Sequence, residues 1–304
     1  MAVAEKSAGS NKAWSGKSEG TPLMHRMLIS MLRHISLRVF YVFVNVFVIP
    51  VHLIAVPSAS KAMYVYFRKI RHESPLRSFW HTYVNHCLFA HVVLDRFYMF
   101  AGGRFTLDID DIEAYRRLEK ATDGFVILSA HVGCYEVAGY TLTALHKHIH
   151  ALVYAGEGKT VMENRQRLLA DHNINMIPIS NDMSHIFAIN NALAAGDIVS
   201  IPGDRIFGSS RAVECYFMGR KAQFPLGPFA VAAQRDATCL AINVMKTSYK
   251  GYKCFVSEIR PEGRNIRQKA ESLARAYAAN LEKVVEQYPL QWYNYFDFWH
   301  LEEE

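Results

Sequence analysis

His131 and Glu136 are the residues best placed to do chemistry. They form an H-x4-E pair, His-Val-Gly-Cys-Tyr-Glu, directly after the apolar run FVILSA (125–130). Spacing alone says little, because a chain with fourteen histidines produces about one such match by chance. The context adds information. FVILSA reads as a core strand, and open α/β sheets place their ligands beyond the carboxyl ends of strands. Gly133 permits a sharp turn there. A helix from Cys134 to Leu145 would put Glu136 in its first turn, folded back on the histidine. In that arrangement Glu136 accepts a hydrogen bond from one ring nitrogen and fixes the tautomer. The other nitrogen then takes a proton from an attacking hydroxyl. The alternative is a histidine satisfied at a strand end, with Glu136 on a solvated face.

Other polar residues are candidates around this pair. Asp204 and Arg205 follow the run DIVSIP (197–202), so both are expected at the same mouth, Asp204 holding the loop or acceptor and Arg205 binding a phosphate or pantetheine group. Gly227-Pro228 precedes an apparent helix whose N-terminus offers free N–H groups. Arg211, Arg220 and Lys221 bracket that block and suit an acidic carrier protein or lipid headgroup. Cys134 lies within the motif, but a lone cysteine is more often inert packing. The five cysteines form no C-x-x-C pair, which disfavours a disulfide framework or zinc site. His81, His86 and His91 recur every five residues, which does not place three ligands on one helical face. With no P-loop, H-E-x-x-H or G-x-G-x-x-G, no metal or cofactor is implied.

The elements that must position these residues are legible in outline. From about residue 105, β-rich runs (125–130, 151–155, 174–180, 197–202, 238–245, 252–259) alternate with helical stretches near 134–148, 160–172 and 182–195. A late amphipathic helix covers 265–287. This predicts an α/β fold, a largely parallel central sheet flanked by helices.

The N-terminal part differs in character. Residues 1–20 are small and polar and are expected to be loose. Residues 21–60 are read as a membrane-associated helix region, and 61–304 as the α/β domain. Val39–Val56 is apolar throughout except for Asn45, Pro50 and His52. As a helix it would span about 27 Å, borderline for a hydrocarbon core of about 30 Å. A helix lying on or entering the leaflet is favoured over a single span, a buried core helix or a cleaved signal peptide. Of the net charge of +6, residues 1–72 carry +8, with ten basic and two acidic residues; the remainder carries −2. Basicity confined to this end suits an anionic membrane surface and disfavours nucleic acid as a partner. Residues 61–100 are aromatic and basic, with helical spacing, and should lead from membrane to core.

Several blocks together resemble a known family. Ser129–Gly139, SAHVGCYEVAG, resembles the first motif of the lysophospholipid acyltransferase superfamily, in particular the bacterial late acyltransferases of lipid A biosynthesis (lauroyl and myristoyl acyltransferase-like). In the same order, Ile201-Pro-Gly-Asp204-Arg205 is similar to the family's segment after a core strand. Phe217–Pro228 is similar to its F-x-G-x-x-A-x-x-P-x-G-P block, and Tyr288-Pro-Leu-Gln-Trp292 with Phe298 and Trp299 to its closing aromatic segment. Trp14-Ser-Gly-Lys before a hydrophobic helix also fits, so the likeness runs from about residue 14 to 299. Cys134-Tyr135 replaces the Asn-Trp pair of many relatives, and the acid is Glu where Asp is common elsewhere.

The resemblance implies a glycerolipid acyltransferase-like fold and acyl transfer to a hydroxyl of a lipid or glycolipid. The donor would be a thioester of acyl carrier protein or coenzyme A. It also implies an acceptor-binding role for Arg165, with Arg167 nearby, and a place on the cytoplasmic face of a bacterial inner membrane. Rival readings are a thioesterase or esterase using water, an N-acyltransferase with an amine acceptor, and a non-enzymatic lipid-binding protein.

Overall fold

The computed structural model describes residues 21–139, 144–154, 159–170, 173–179, 184–206 and 211–299. The expected loose segment 1–20 and the Trp14 motif lie outside the described residues.

The N-terminal part is helical: α1 Pro22–His34, α2 Leu37–Phe43, α3 Ile49–Ala55, α4 Pro57–Val65 and α5 Pro75–Phe100. Thr21 caps α1, and Ser74 caps α5 with Pro75 at its first position, where a missing N–H costs nothing. A π-helical turn, Val44–Val48, joins α2 to α3, so Leu37–Ala55 is one continuous apolar helix. The wide turn lies just before Pro50. A proline inside a helix removes one bond and crowds the preceding turn, at about 3 kcal/mol. The π turn closes instead with Ile49 N–H on the Val44 carbonyl, five residues back. Only 22% of this helix is buried, so it is not a core helix. Ile29 and Leu32 of α1 and Leu37 and Tyr41 of α2 cluster with Leu94 and Phe97, which docks these helices on α5.

The rest is α/β. It runs β1 Thr106–Ile109, α6 Ile112–Lys120, β2 Phe125–Ser129, α7 Tyr135–Gly139, β3 Ile149–Tyr154, α8 Lys159–Ala170, β4 Ile174–Ile179, α9 Ser184–Ala194 and β5 Ile198–Pro202. It continues with β6 Ala212–Phe217, β7 Arg220–Pro225, α10 Leu226–Gln234, β8 Cys239–Lys246, β9 Gly251–Ile259 and α11 Ile266–Gln287. Seven strands form one sheet in the order β1-β9-β8-β2-β5-β3-β4. From β8 to β4 all neighbours are parallel, while β9 returns antiparallel to β8 and β1 is parallel to β9. The α/β class with a mostly parallel, helix-flanked sheet is as the alternation predicts.

Burial on both faces explains why β2 is apolar at every position but its last. One face is covered by a core that includes Phe224, Phe229, Leu273, Tyr277 and Trp292; the other by Tyr115, Val137, Tyr252 and their neighbours.

Three details differ from the sequence reading. Of the helix expected over 134–148, Tyr135–Gly139 is helical as α7, 140–143 lie outside the described residues, and 144–148 are not helical. β1 was not foreseen, being only four residues long. Nor was the antiparallel β6–β7 hairpin, although its alternating burial, with Val213, Cys215 and Phe217 inward, is the usual mark of a half-buried strand.

Candidate active site

The pairing of β2 with β5 builds the centre. Their parallel register sets Ser129 beside Pro202. Two residues on from each, past the carboxyl ends, stand His131 and Asp204. Asp204 Oδ1 lies 2.8 Å from His131 Nδ1, and Oδ2 accepts the His131 backbone N–H at 2.7 Å. The Asp204 side chain is 3% exposed and the His131 ring 26%, so the ring reaches the mouth from an anchor inside. Burial pushes the Asp204 carboxyl up, but the His131 ring, its hydrogen bonds and Arg205 outweigh that and hold it below the usual carboxylate range. An ionised carboxylate only accepts, so Nδ1 carries a hydrogen and Nε2 is the nitrogen that can take up a proton.

The sequence reading gave this orienting role to Glu136; the bond to Nδ1 belongs to Asp204. Glu136 does stand in the first turn of α7. Its carboxylate meets Arg165 of α8 at 2.6 Å and Arg96 of α5 at 3.5 Å. Burial raises its pKa, but the two guanidinium groups outweigh that and leave it low. The physical reason is electrostatic. A carboxylate with only 11% of its side chain exposed requires positive partners, and two arginines satisfy it better than a neutral imidazole would. Arg165 is thus brought to the motif through Glu136, a pairing the sequence reading did not include. Arg167 is exposed on α8 and bonded to Asn164.

Arg205 donates to the Tyr293 carbonyl at 2.6 Å and lies over the Phe296 ring. It fastens the Asp204 loop to the C-terminal segment. Gly227 is the second residue of α10, and a Cβ there would meet nothing within 4 Å, so no close approach of backbone demands glycine. Arg220 opens β7, and Lys221 pairs with Glu214 across the hairpin at 2.9 Å. These residues sit on the hairpin and α10, not on the loops that carry His131 and Asp204. Cys134 is buried and its thiol is pushed up to about 12, so it is no thiolate nucleophile at neutral pH. All five cysteines are free and buried.

The profile of the bacterial lipid A biosynthesis acyltransferases matches residues 103–299, which is well over half the chain and contains His131, Glu136, Arg165, Asp204 and Arg205 but not Arg96. The chain belongs to that family. It is an acyltransferase that acts on lipids. No curated protein matches the acyltransferase by sequence. Among solved structures, the 1-acyl-sn-glycerophosphate acyltransferase of Thermotoga maritima aligns at 11% identity over 88% of this chain and 99% of its own, with a TM-score of 0.39.

Sequence reasoning missed Arg96, which lies in an apolar helix, VVLDRFYMF, where a charge followed by aromatics reads as a solvated face. It also missed the neighbouring Asp95. Asp95 is fully buried and bonds Lys246 Nζ at 2.5 Å and the hydroxyls of Tyr41 and Tyr252. A lone acid inside an apolar helical run was the available signal. This buried pair ties α2, α5, β8 and β9 together.

Proposed function

We propose that the acyltransferase moves a fatty acyl group from an acyl thioester, on acyl carrier protein or coenzyme A, to a hydroxyl of a membrane lipid or glycolipid. His131 is the general base: Nε2 takes the acceptor's proton as its oxygen attacks the thioester carbonyl. A tetrahedral oxyanion forms, and on collapse the carrier thiol leaves with a proton returned by the imidazolium. Asp204 holds the ring and stabilises its cationic form. The observation that carries this reading is the pair of hydrogen bonds between Asp204 and His131, beside an ion-paired Glu136. Glu136, which also meets Arg96, holds Arg165 where its planar fork suits an anionic group on the acceptor or carrier. Arg205, Arg220 and Gly227 remain substrate-side residues in this proposal, Arg205 through the loop it fastens. The chemistry calls for no metal or organic cofactor.

The membrane part of the proposal rests on the N-terminal helices. Val42, Phe43, Phe47, Val51 and Ile54 are exposed on Leu37–Ala55, and Leu23, Met24, Met27 and Met31 on α1. Leu76, Phe79 and Trp80 add exposed apolar surface at the start of α5. With 83% of Ile54 open, such a surface is costly in water and favourable in lipid. The excess basic charge of residues 1–72 favours an anionic leaflet, and we place the enzyme on the cytoplasmic face of the bacterial inner membrane.

The test is a product analysis by lipid mass spectrometry, with acyl carrier protein and coenzyme A thioesters offered separately to membranes. An acylated lipid formed by the wild type and lost in His131→Ala is the expected result. Release of free fatty acid alone would make the protein a thioesterase instead.

A further inference from the structure

The loop that carries His131 belongs to no strand or helix, so its backbone must be held from outside. Besides Asp204, which accepts the His131 N–H, two neighbours hold it. On one side is β8: Cys134 N–H donates to the Val244 carbonyl at 2.7 Å. Gly133 approaches so closely, at φ +50°, that a Cβ would lie 1.9 Å from that oxygen. On the other side is the C-terminal segment 291–293. Gly133 N–H donates to the Gln291 carbonyl at 2.9 Å and Tyr293 N–H to the His131 carbonyl at 3.0 Å, with Val132 and Trp292 bridged antiparallel.

Gln291 joins these two supports. Its Nε2 donates to the Lys246 carbonyl at 2.8 Å and its Oε1 accepts the Lys246 N–H at 2.9 Å. A side-chain amide therefore stands where a neighbouring strand's peptide group would stand, at the end of β8. The residue is 7% exposed, so water competes little for these bonds. A second buried amide, Asn85 of α5, steadies the same segment by donating to the Leu290 and Trp292 carbonyls at 3.0 and 2.9 Å.

We propose that Gln291 is a positioning residue for acyl transfer: its amide fixes the C-terminal segment to β8 and so sets where His131 meets Asp204. This rests on the reading of His131 as general base. Gln291 touches no reacting atom; it acts through the backbone of 131–133.

The experiment measures kcat and KM of the full chain in lipid vesicles, with folding checked by circular dichroism. Gln291→Met keeps length and removes both hydrogen bonds. Gln291→Glu keeps the acceptor and loses the donor. Both are expected to fold and to lose kcat by about 10–100-fold, the scale of a small misplacement of a catalytic group, with KM for donor and acceptor within about threefold. In a His131→Ala background, Gln291→Met is expected to cause no further loss, because it has no imidazole to misplace. Wild-type kcat in both variants overturns the proposal. So does an equal loss in the two backgrounds, or failure of both variants to fold, since either assigns Gln291 to stability. Full activity of His131→Ala is a separate outcome that removes the general base itself.

Discussion

Both carboxylate oxygens of Asp204 are engaged with one residue, His131: Oδ1 with the ring at 2.8 Å and Oδ2 with the backbone N–H at 2.7 Å. The aspartate thus fixes the ring and the chain that bears it. Replacing it by asparagine keeps the shape but offers Nδ1 a donor, which favours the wrong tautomer. Asp204→Asn is expected to lower kcat by about 10²–10⁴, comparable with loss of the base. Single-turnover assays check this, and activity within threefold of wild type would exclude Asp204 from the mechanism.

Arg165 meets Glu136 at 2.6 Å with only 7% of its side chain exposed. Arg165→Lys keeps the charge but loses the planar fork. KM for the lipid acceptor is expected to rise about tenfold, with kcat changing less. Steady-state kinetics with the acceptor varied would show it; a fall in kcat at constant KM would place Arg165 at the reacting carbonyl instead.

Glu136 and Asp204 both titrate below the usual carboxylate range, which sets a pH dependence of stability. For a group depressed in the folded state, the stabilisation is complete above the unfolded pKa of about 4 and is lost as pH falls through the folded value. Urea midpoints should therefore fall steeply below about pH 4. Asp204→Asn should flatten that limb, and a slope equal to wild type would show that Asp204 is not the linked group.

The Asp95–Lys246 pair is buried, with Asp95 fully enclosed. Removing one partner strands the other charge. Asp95→Ala is expected to cost about 3–5 kcal/mol of stability, read as a lower denaturant midpoint. A shift below about 1 kcal/mol would mean that water reaches Lys246.

Phe47 and Ile54 are exposed on the apolar helix. Burying each in lipid is worth about 1.5–3 kcal/mol. The double change to Ser is expected to weaken co-sedimentation with anionic vesicles by at least about 100-fold. Unchanged binding would move the attachment to α1 and the start of α5.

Local pattern carried much of this without coordinates. The apolar residues 125–128 marked a core strand, and the step from strand to Gly133 to helix marked His131 and put Glu136 in a first turn. The apolarity of 39–56 marked a helix, read as lying on or entering a leaflet, though not the π turn that accommodates Pro50. Within a few residues, sequence spacing and spatial spacing agree, so such features can be read directly.

Which carboxylate serves the imidazole was a different kind of question. Asp204 is 73 residues from His131 and meets it only because β2 and β5 pair with Ser129 beside Pro202. Glu136, five positions away, is drawn instead to guanidinium groups delivered by α5 and α8. The residue types and the strand that presents His131 were written in the chain. Partner choice was decided by the fold, because charges brought together by sheet register and helix packing compete on distance and burial, and neither is a property of spacing along the sequence.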